Sequence, residues 1–590
     1  MINRILSRFH GGVHLPDRKS LTAGQPVRKA HLPDRLYLPL HQHIGASAEP
    51  VVAVGDSVLK GQMIAHACGY VSAPVHASSS GKVIAIEDHA IPHPSGASAS
   101  CIVIETDGED RWIERSGAED YLNMDHSHLR NLIRNAGIVG LGGAGFPSFI
   151  KLNPGPDYQI DTLILNGAEC EPFITCDDLL MRMHPEEIIS GIKILRYALK
   201  AKHVVIAVED NKPEAYQSLK GQLHNEDIEV VQVPTLYPVG GEKQLIQVIT
   251  GKEVPHDGLP LNIGIVIQNV STAAAVHRAV NEGTPLVSRY VTVTGGGVTQ
   301  PRNLEVLFGT PVNELLEQCG GTNMAMSRLV MGGPMMGFEL HQHNVPVIKT
   351  TNCILAATDH DLSPEQPMMP CIRCGSCADA CPVSLLPQQL YWFARSKEFD
   401  KAQNINLFDC IECGCCSYVC PSHIPLVHYF RFSKAEIAAK EREQEKADQA
   451  RARHEARQAR LDREKAERAA RLASKKAALA AKKARSDGAS GGVSDDKKAA
   501  IKAAIERAKA KKAAKKQAGT EPEAEKNRAV SERKRAEMKA AIEQAKVKKM
   551  ARKQAESGHE RGVSEQKKAE MRAAIARAKA KKAEKKNDGI

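Results

Sequence analysis

The chain has 590 residues, 42% of them hydrophobic and 4% aromatic, with a formal net charge of +11. This length predicts several domains with buried cores. No apolar run reaches the roughly 18–20 residues that cross a bilayer, and residues 1–12 contain no apolar stretch of signal-peptide length. We therefore expect a cytoplasmic protein that does not itself span a membrane.

The N-terminal part predicts a small β domain. Residues from about 25 to 108 are rich in Val, Ile, Gly and Pro and contain short alternating runs. We assign residues 1–127 to this domain.

Residues 128–285 alternate strand and helix signals. The segments 161–166, 203–208 and 262–267 have the composition of buried strands, and 185–200 has helical spacing. This alternation is typical of a parallel sheet covered by helices and predicts a Rossmann-like α/β domain.

A glycine-dense turn, GLGGAG, spans residues 140–145. Glycines allow backbone N–H groups to close around a phosphate without steric conflict. The turn lacks the Lys-Ser/Thr of a P-loop, and its spacing is not that of the dinucleotide fingerprint. Taken alone, it could equally be a tight turn with no ligand.

Polar residues gather just after the predicted strands, where open α/β sheets bind ligands. Lys151 follows the glycine turn, and three further groups lie at 166–172 (NGAECEP), 237–243 (YPVGGEK) and 269–272 (NVST). Glu169 and Glu171 could be solvated loop carboxylates, but the later groups favour a binding site.

Residues 286–352 return to β character with Gly-rich turns at 295–297 and 332–333. We assign them to a third, smaller domain.

Nine of the 15 cysteines lie between Cys371 and Cys420, which favours metal ligation over disulfides in a chain without an export signal. The runs CIRCGSCADACP (371–382) and CIECGCCSYVCP (410–421) both fit C-x2-C-x2-C-x3-C-P, the spacing of bacterial [4Fe–4S] ferredoxins. Structural zinc, which favours two C-x2-C pairs, is the competing interpretation. The runs predict a two-cluster, ferredoxin-like helical domain over 360–430.

In proteins with two such runs, the fourth cysteine of each run binds the cluster of the other. The predicted ligand sets are therefore crossed. One contains Cys371, Cys374, Cys377 and Cys420, and the other contains Cys410, Cys413, Cys416 and Cys381. Cys415 falls outside this register, and we do not expect it to be a ligand.

Residues 434–590 form an Ala/Lys-rich tail. From residue 441 onward there are 45 Lys and Arg against 24 Asp and Glu, whereas residues 1–440 contain 35 and 45. A repeat begins at Val493, Val530 and Val563. The serine that follows each valine (Ser494, Ser531 and Ser564) is a candidate N-cap before a helix-prone run. The tail is predicted to be helical or disordered, either as isolated fluctuating helices or docked on a partner. Its charge favours an anionic surface, although a solvated spacer helix fits as well.

The polar groups of the α/β segment resemble the flavin subunit of respiratory complex I, in which GxGGAGFPTGLK, NADESEP, YxxGEE and NVET surround FMN and admit NADH. The resemblance implies a set of cofactor-binding positions. They are Gly140, Gly142, Gly143, Lys151, Asn166, Glu169, Glu171, Tyr237, Gly240, Glu242, Asn269 and Thr272.

The resemblance has three departures. Ala168 stands where that protein has Asp, Gly241 replaces the first Glu of the pair, and Phe149 replaces a Gly.

Residues 1 to about 430 resemble the C subunit of the Rnf complex, called Rsx in some bacteria. The HGGVH segment (10–14), the flavin-subunit-like centre and the two cysteine runs occur in the same order. The resemblance implies a peripheral subunit of an ion-translocating electron-transport complex on the cytoplasmic face of the bacterial inner membrane. It also implies two [4Fe–4S] clusters, non-covalent FMN, and NADH as substrate.

The remaining domains fit this family. The segment VGDSVLKGQ (54–62) with Ala73, Pro74 and 81–83 resembles a biotinyl/lipoyl-type hammerhead without the modifiable lysine, so we expect a structural role. Residues 291–316 resemble the β-grasp domain that follows the flavin domain of complex I. Expected partners are the other subunits, a ferredoxin-like or other redox protein, and an anionic membrane surface through the tail; nucleic acid is not expected.

Two alternatives remain open from the sequence. A cobalamin reductase-like flavin/iron–sulfur protein shares the architecture but lacks a long basic tail. A non-catalytic iron–sulfur scaffold is disfavoured by the glycine turn with Lys151 and Glu171.

Overall fold

The computed structural model describes residues 6–118, 120–156, 158–224, 227–364, 366–487 and 495–517. The chain divides into two compact units, Met1–Ala450 and Arg451–Ile590. Among the described residues, no helix has the length and apolar character of a membrane span.

Within the described residues, the strands in chain order are β1 (Arg28–Lys29), β2 (Arg35–Pro39), β3 (Glu49–Pro50), β4 (Ser57–Val58), β5 (Met63–His66), β6 (Val75–His76), β7 (Gly81–Ala90), β8 (Ser98–Thr106), β9 (Thr162–Gly167), β10 (His203–Glu209), β11 (Ile228–Val233), β12 (Ile265–Asn269), β13 (Ser288–Thr294), β14 (Arg302–Leu307), β15 (Arg328–Met331), β16 (Phe338–Glu339) and β17 (Cys353–Ala357).

The described helices are α1 (Ser20–Ala23), α2 (His126–Asn135), α3 (Ser148–Lys151), α4 (Cys176–Met183), α5 (Pro185–Leu199), α6 (Pro213–Gly221), α7 (Glu242–Thr250), α8 (Val270–Asn281), α9 (Val312–Gln318), α10 (Ser376–Asp379), α11 (Pro387–Arg395), α12 (Phe399–Asn404), α13 (Cys415–Tyr418), α14 (Leu426–Asp487) and α15 (Asp495–Gln517). Short 3-10 turns occur at Tyr121–Asn123, Pro260–Ile263 and Leu407–Asp409.

The N-terminal β region contains two small antiparallel sheets, ordered β2-β8-β7-β4 and β3-β5-β6. Alternate residues of β2, Leu36 and Leu38, are fully buried, as are Ile102 and Ile104 on the partner strand β8. Because side chains alternate between the two faces of a strand, these four residues lie on the same face of the sheet, and that face packs on the core.

The α/β region has a parallel sheet ordered β11-β10-β9-β12, which confirms the α/β class. The strands are apolar on both faces because both faces are covered. Leu163 and Leu165 of β9 join the main core with α5 and α8, whereas Ile164 packs in a second core with Leu245 and Ile246 of α7.

Two elements of this sheet differ from the sequence-based prediction. The predicted strand at 262–267 begins instead at Ile265, because Pro260–Ile263 forms a 3-10 turn that ends at Gly264 in a left-handed conformation (φ 72°). The strand β11 was not predicted; it forms the sheet edge beside β10.

The third sheet has six strands in the order β1-β14-β13-β17-β15-β16. It includes β1 from the N-terminal region and β17, which lies beyond the predicted domain end at residue 352. Strands from distant parts of the chain therefore complete this sheet, which local patterning does not reveal.

The cysteine region is built from α10, α11, α12, α13 and the start of α14. Its small core contains Leu390, Tyr391, Leu407 and Phe430, together with Ile437 of α14. The predicted boundary between this domain (360–430) and the tail (434–590) therefore falls inside one continuous helix.

Beyond Ile437 the described side chains of α14 are almost all exposed, as are those described in α15. Residues 495–516 of the first repeat lie in α15. The predicted cap Ser494 and the second and third repeats (530–553 and 563–586) lie outside the described residues.

Candidate functional site

The carboxyl ends of β9 and β12 meet at one edge of the parallel sheet. Asn166 and Asn269 are paired in register there. The Asn166 side-chain amide donates to the Gly240 carbonyl oxygen at 2.8 Å, and the Asn269 amide donates to the Asp177 carboxylate at 2.7 Å. The structure thus brings together segments separated by about 100 residues in the sequence, as the strand-end prediction required.

The glycine turn lies at the same edge. Its ends are closed by the bond from Gly145 N–H to the Gly140 carbonyl, at 3.1 Å, and Leu141 N–H donates to the Thr272 hydroxyl at 3.0 Å. Between them, residues 142–144 are exposed, and their N–H groups donate to no described residue. Gly143 has φ 110°, and a Cβ there would meet no atom within 4 Å.

Lys151 supplies a cation beside this edge. Its ammonium group donates to the Glu242 carboxylate at 2.6 Å and to the Ile267 carbonyl oxygen at 3.2 Å. Both partners of the pair remain partly exposed, so the charges are accessible from solvent. The exposed turn amides and this cation are a donor set that fits the phosphate of FMN.

Glu169 and Glu171 make backbone contacts rather than lying in solvent. The Glu169 carboxylate accepts from the N–H groups of Asp177 and Asp178, at 2.7 and 3.2 Å, and so caps the first turn of α4. The Glu171 carboxylate accepts from the N–H groups of Met335 and Met336, at 2.7 and 3.0 Å. The solvated-carboxylate alternative is therefore wrong.

Burial changes the ionisation of these acids. It raises the pKa of both Glu169 and Glu171, because the charged form loses its hydration. Burial also raises the pKa of Asp177 to about 6, and the neighbouring Glu169 carboxylate adds to this effect.

The remaining positions from the flavin-subunit resemblance have structural partners at the same edge. A Cβ on Gly240 would lie 3.0 Å from the Cys170 sulfur, and a Cβ on Gly142 would lie 3.5 Å from Asn269. Thr272 is fully buried under the glycine turn. The Tyr237 hydroxyl reaches the cysteine region, where it donates to the Cys413 carbonyl oxygen.

Lys19 is a site residue that the sequence analysis missed. Its buried ammonium group donates to the carbonyl oxygens of Glu169, Glu171 and Ile174, at 2.8, 3.0 and 2.6 Å. Burial lowers the pKa of Lys19. No motif surrounds this lysine in the sequence, so only the tertiary structure identifies it as the group that holds the 169–174 loop.

The eight predicted cysteine ligands line two separate cavities. The first cavity contains Cys371, Cys374, Cys377 and Cys420. The second cavity contains Cys381, Cys410, Cys413 and Cys416. Each cavity therefore combines three cysteines from one run with the fourth of the other, and four thiols around a small apolar space fit a [4Fe–4S] cluster.

Both cysteine runs follow the same backbone path. Positive φ angles occur at Arg373 and Gly375 in the first run (57° and 87°) and at Glu412 and Gly414 in the second (58° and 85°). Each glycine immediately precedes a short helix, α10 or α13. Cys415 does not line the second cavity; it is fully buried beside Cys413.

The second cavity is covered by the α/β region and the N-terminal segment. The Tyr237 hydroxyl donates to the Cys413 carbonyl oxygen at 2.7 Å, and the Gln244 side chain donates to the Pro382 carbonyl oxygen at 3.3 Å. Lys243 pairs with Asp409 at 3.1 Å. The imidazole Nδ1 of His10 lies 2.9 Å from the Cys381 carbonyl oxygen.

The first cavity faces outward. Cys374 is exposed, and the neighbouring Ile372 is 69% exposed. By contrast, Cys413 and Cys416 of the second cavity are buried. The two cavities therefore differ in their access to solvent and in their contacts with the α/β region.

Four families match separate parts of the chain. They are the RnfC barrel sandwich hybrid domain at residues 7–109, the Nuo51 FMN-binding domain at 133–278, the SLBB domain at 290–339 and the 4Fe-4S dicluster domain at 370–424. These matches confirm the expectation of an FMN-binding α/β region and a two-cluster region.

Relatives that match almost four fifths of the chain are named as the C subunit of an ion-translocating oxidoreductase complex. The protein of Salmonella arizonae is 51% identical over 464 residues, covering 78% of this chain and 69% of the relative. That of Pseudomonas aeruginosa is 52% identical over 465 residues, covering 79% and 60%. That of Serratia proteamaculans is 51% identical over 458 residues, covering 78% of this chain and 65% of the relative, slightly less than two thirds.

Among solved structures, an NAD+-reducing [NiFe]-hydrogenase in the air-oxidized state matches with a TM-score of 0.37 and 18% sequence identity. The match covers 50% of this chain and 60% of the hydrogenase chain.

Proposed function

The chain belongs to the family of C subunits of ion-translocating oxidoreductase complexes, and from this premise we propose that it is a peripheral electron-transfer protein that oxidises NADH and supplies electrons to the other subunits of a membrane-bound complex. The observation that carries the proposal is the pair of four-cysteine cavities in a chain that also has the glycine-turn edge of the α/β sheet. Together they provide places for a two-electron and a one-electron carrier in one chain.

The proposed cluster ligands are the crossed sets of the two cavities. Cys371, Cys374, Cys377 and Cys420 hold one [4Fe–4S] cluster, and Cys381, Cys410, Cys413 and Cys416 hold the other. When bound, these clusters supply one-electron redox chemistry. The protein supplies the thiolates and, around the second cavity, an apolar wall that includes Leu390 and Phe430.

FMN is proposed to occupy the glycine-turn edge. The exposed amides of residues 142–144 and the Lys151 ammonium group would hold its phosphate, with Asn166 and Asn269 at the adjoining strand ends. When bound, FMN supplies the exchange between hydride transfer and single-electron transfer. Glu169, Glu171, Gly240 and Thr272 would act by shaping this edge, since each has a partner within the protein.

The surroundings of the cavities support an order of the carriers within the relay. The second cavity is covered by residues of the α/β region, whereas the first exposes Cys374 to solvent. We therefore assign the second cavity to the entry of electrons from the flavin side. We assign the first cavity to electron exchange with another subunit of the complex, or with a ferredoxin-like or other redox partner.

The proposed location is the cytoplasmic face of the bacterial inner membrane. The support is the basic tail, with 45 Lys and Arg against 24 Asp and Glu from residue 441 onward. Such a tail is attracted to anionic lipid, and the attraction weakens with salt.

Anaerobic purification tests the proposed function. We expect brown protein with about eight irons per chain, which releases FMN on denaturation. Addition of NADH should bleach the visible absorption. If reduced ferredoxin bleaches the protein and NADH does not, the NADH assignment is wrong; zinc in place of iron would contradict the whole proposal.

A truncation tests the tail. Because Ile437 is buried in the cysteine region, the truncated chain should end well beyond it, at residue 450. We expect the iron and FMN content of wild type but weaker retention on vesicles that contain phosphatidylglycerol, with no difference on pure phosphatidylcholine. Equal retention of both chains on the anionic vesicles would exclude the anchoring role.

A further inference from the structure

Tyr237 joins the α/β region to the loop that lines the second cysteine cavity. Its side chain is 4% exposed, and its hydroxyl donates to the Cys413 carbonyl oxygen at 2.7 Å. Its backbone is held independently, because Val13 N–H donates to the Tyr237 carbonyl oxygen at 2.8 Å and Tyr237 N–H donates to the Val13 carbonyl oxygen at 3.1 Å. The backbone of Tyr237 is thus held by the N-terminal segment, while its side chain packs against Cys413 and Cys415.

The same phenol lies near the Glu171 carboxylate, close enough for the two groups to influence each other electrostatically. Glu171 in turn binds the N–H groups of Met335 and Met336. This segment touches the cysteine loop a second time, since a Cβ on Gly414 would lie 2.8 Å from the Met335 carbonyl oxygen. Three parts of the chain therefore meet at the phenol, and one of them is the loop between Cys410 and Cys416.

We propose that Tyr237 is a positioning residue, whose hydroxyl holds the Cys410–Cys416 loop at the edge of the α/β region and thereby sets the properties of the redox centre in the second cavity. This inference rests on the proposed function, because it requires a cluster in that cavity. It gives Tyr237 a role toward the cluster, in addition to its predicted place among the flavin-site residues.

Two physical effects support this role. Hydrogen bonds and burial around the ligands of a cluster tune its reduction potential, and outer-sphere partners keep the ligands oriented. Cys413 is buried, so removal of the donor would leave its carbonyl oxygen without that hydrogen bond in a place that water does not reach.

The test is Tyr237→Phe in the full chain, purified anaerobically with its cofactors. This change keeps the aromatic ring and the backbone pairing with Val13 and removes only the hydroxyl. Tyr197→Phe is the matched control, because that phenol also donates to backbone carbonyl oxygens, those of Leu122 and Met124, at a place remote from the cysteines in the sequence and in its contacts.

The readout is a redox titration followed by electron paramagnetic resonance. Signals are assigned with Cys381→Ser and Cys420→Ser, each of which removes one predicted ligand. We expect Tyr237→Phe to shift the midpoint potential of the second centre and leave that of the first unchanged. The rate at which the second centre is reduced after mixing with NADH should change together with that potential, because the potential sets the driving force of the electron transfer. Tyr197→Phe should match wild type.

The outcomes separate this inference from the proposed function. Selective loss of the second signal in Tyr237→Phe would also support the positioning role, because the loop would then have loosened. Two intact centres with unchanged potentials and rates, or equal loss of both signals, would overturn it while leaving the proposed function in place. A wild-type chain without iron would overturn both.

Discussion

The two cysteine cavities are built from the same spacing and the same backbone path, yet they lie in different surroundings. Gly375 and Gly414 occupy equivalent places with φ 87° and 85°. A Cβ on Gly375 would meet nothing within 4 Å, whereas one on Gly414 would lie 2.8 Å from the Met335 carbonyl oxygen. The motif therefore encodes the ligand loop, and the neighbouring domain decides whether that loop is covered.

This difference suits a relay with distinct ends. A covered centre exchanges electrons most readily with the part of the protein that covers it, and an exposed centre can be reached by a separate partner. The two cysteine runs look alike in the sequence, although their cavities differ in exposure. The groups that cover the second cavity lie elsewhere in the chain, at residues 10–12, 237–244 and 333–336.

The largest expected effect comes from Cys381→Ser, which tests whether the fourth cysteine of the first run serves the second cavity. We expect loss of the covered centre alone, with iron falling from about eight to about four per chain, because one of its four thiolate ligands is gone. Iron analysis and electron paramagnetic resonance measure this. Cys420→Ser should remove the exposed centre instead, and Cys415→Ser, the control, should keep both. If Cys381→Ser abolishes the same signal as Cys371→Ser, the crossing is wrong.

A smaller effect distinguishes the two glycines. Alanine at either position is strained by the left-handed backbone, at a cost of about 1–2 kcal/mol. Gly414→Ala adds a clash with a backbone oxygen and should cost about 3 kcal/mol in total, as overpacking typically does. Denaturant midpoints with bound iron would show the difference. Equal destabilisation by Gly375→Ala would contradict the covered/exposed distinction.

The α/β region, which covers the second cavity, should also make the free energy of unfolding depend on pH. The pKa of Asp177 is about 6 in the folded protein and near 4 in an unfolded chain. Between these values the folded state retains a proton that the unfolded state has lost, so stability falls as pH rises through this window, by about 3 kcal/mol. Asp177→Asn should flatten this part of the curve of thermal midpoint against pH, between about 4 and 6. A curve as steep as that of wild type would show that other groups are responsible.

The smallest effect concerns the ion pair between the two regions. Lys243→Ala removes the contact to Asp409, and because both side chains are partly solvated it should cost about 0.5–1 kcal/mol and matter less at high salt. Lys401→Ala is the control, since its pair with Glu398 lies within the cysteine region. Denaturation at low and at high salt measures the loss in free energy of unfolding for each variant. If Lys401→Ala lost more free energy of unfolding than Lys243→Ala, the pair with Asp409 would not contribute to covering the second cavity.

Part of the candidate site could be predicted from local patterns. The parallel sheet followed from apolar runs buried on both faces, and the gathering of Asn166 and Asn269 followed from the rule that ligands bind at the carboxyl ends of such strands. The structural partners of Glu169 and Glu171 did not follow. The same carboxylates would look identical in a sequence whether they faced solvent, a ligand or a row of backbone N–H groups.

The sequence by itself determined the two ligand loops, because the spacing of cysteines and the glycine before each short helix are local requirements of the backbone. It also determined the apolar strands and the charge of the tail. Only the tertiary structure decided that Lys19 holds the 169–174 loop, that β1 and β17 complete the third sheet, and that Tyr237 reaches Cys413. These contacts join residues far apart in the chain, and their energy depends on which groups are buried together, a property that no local pattern contains.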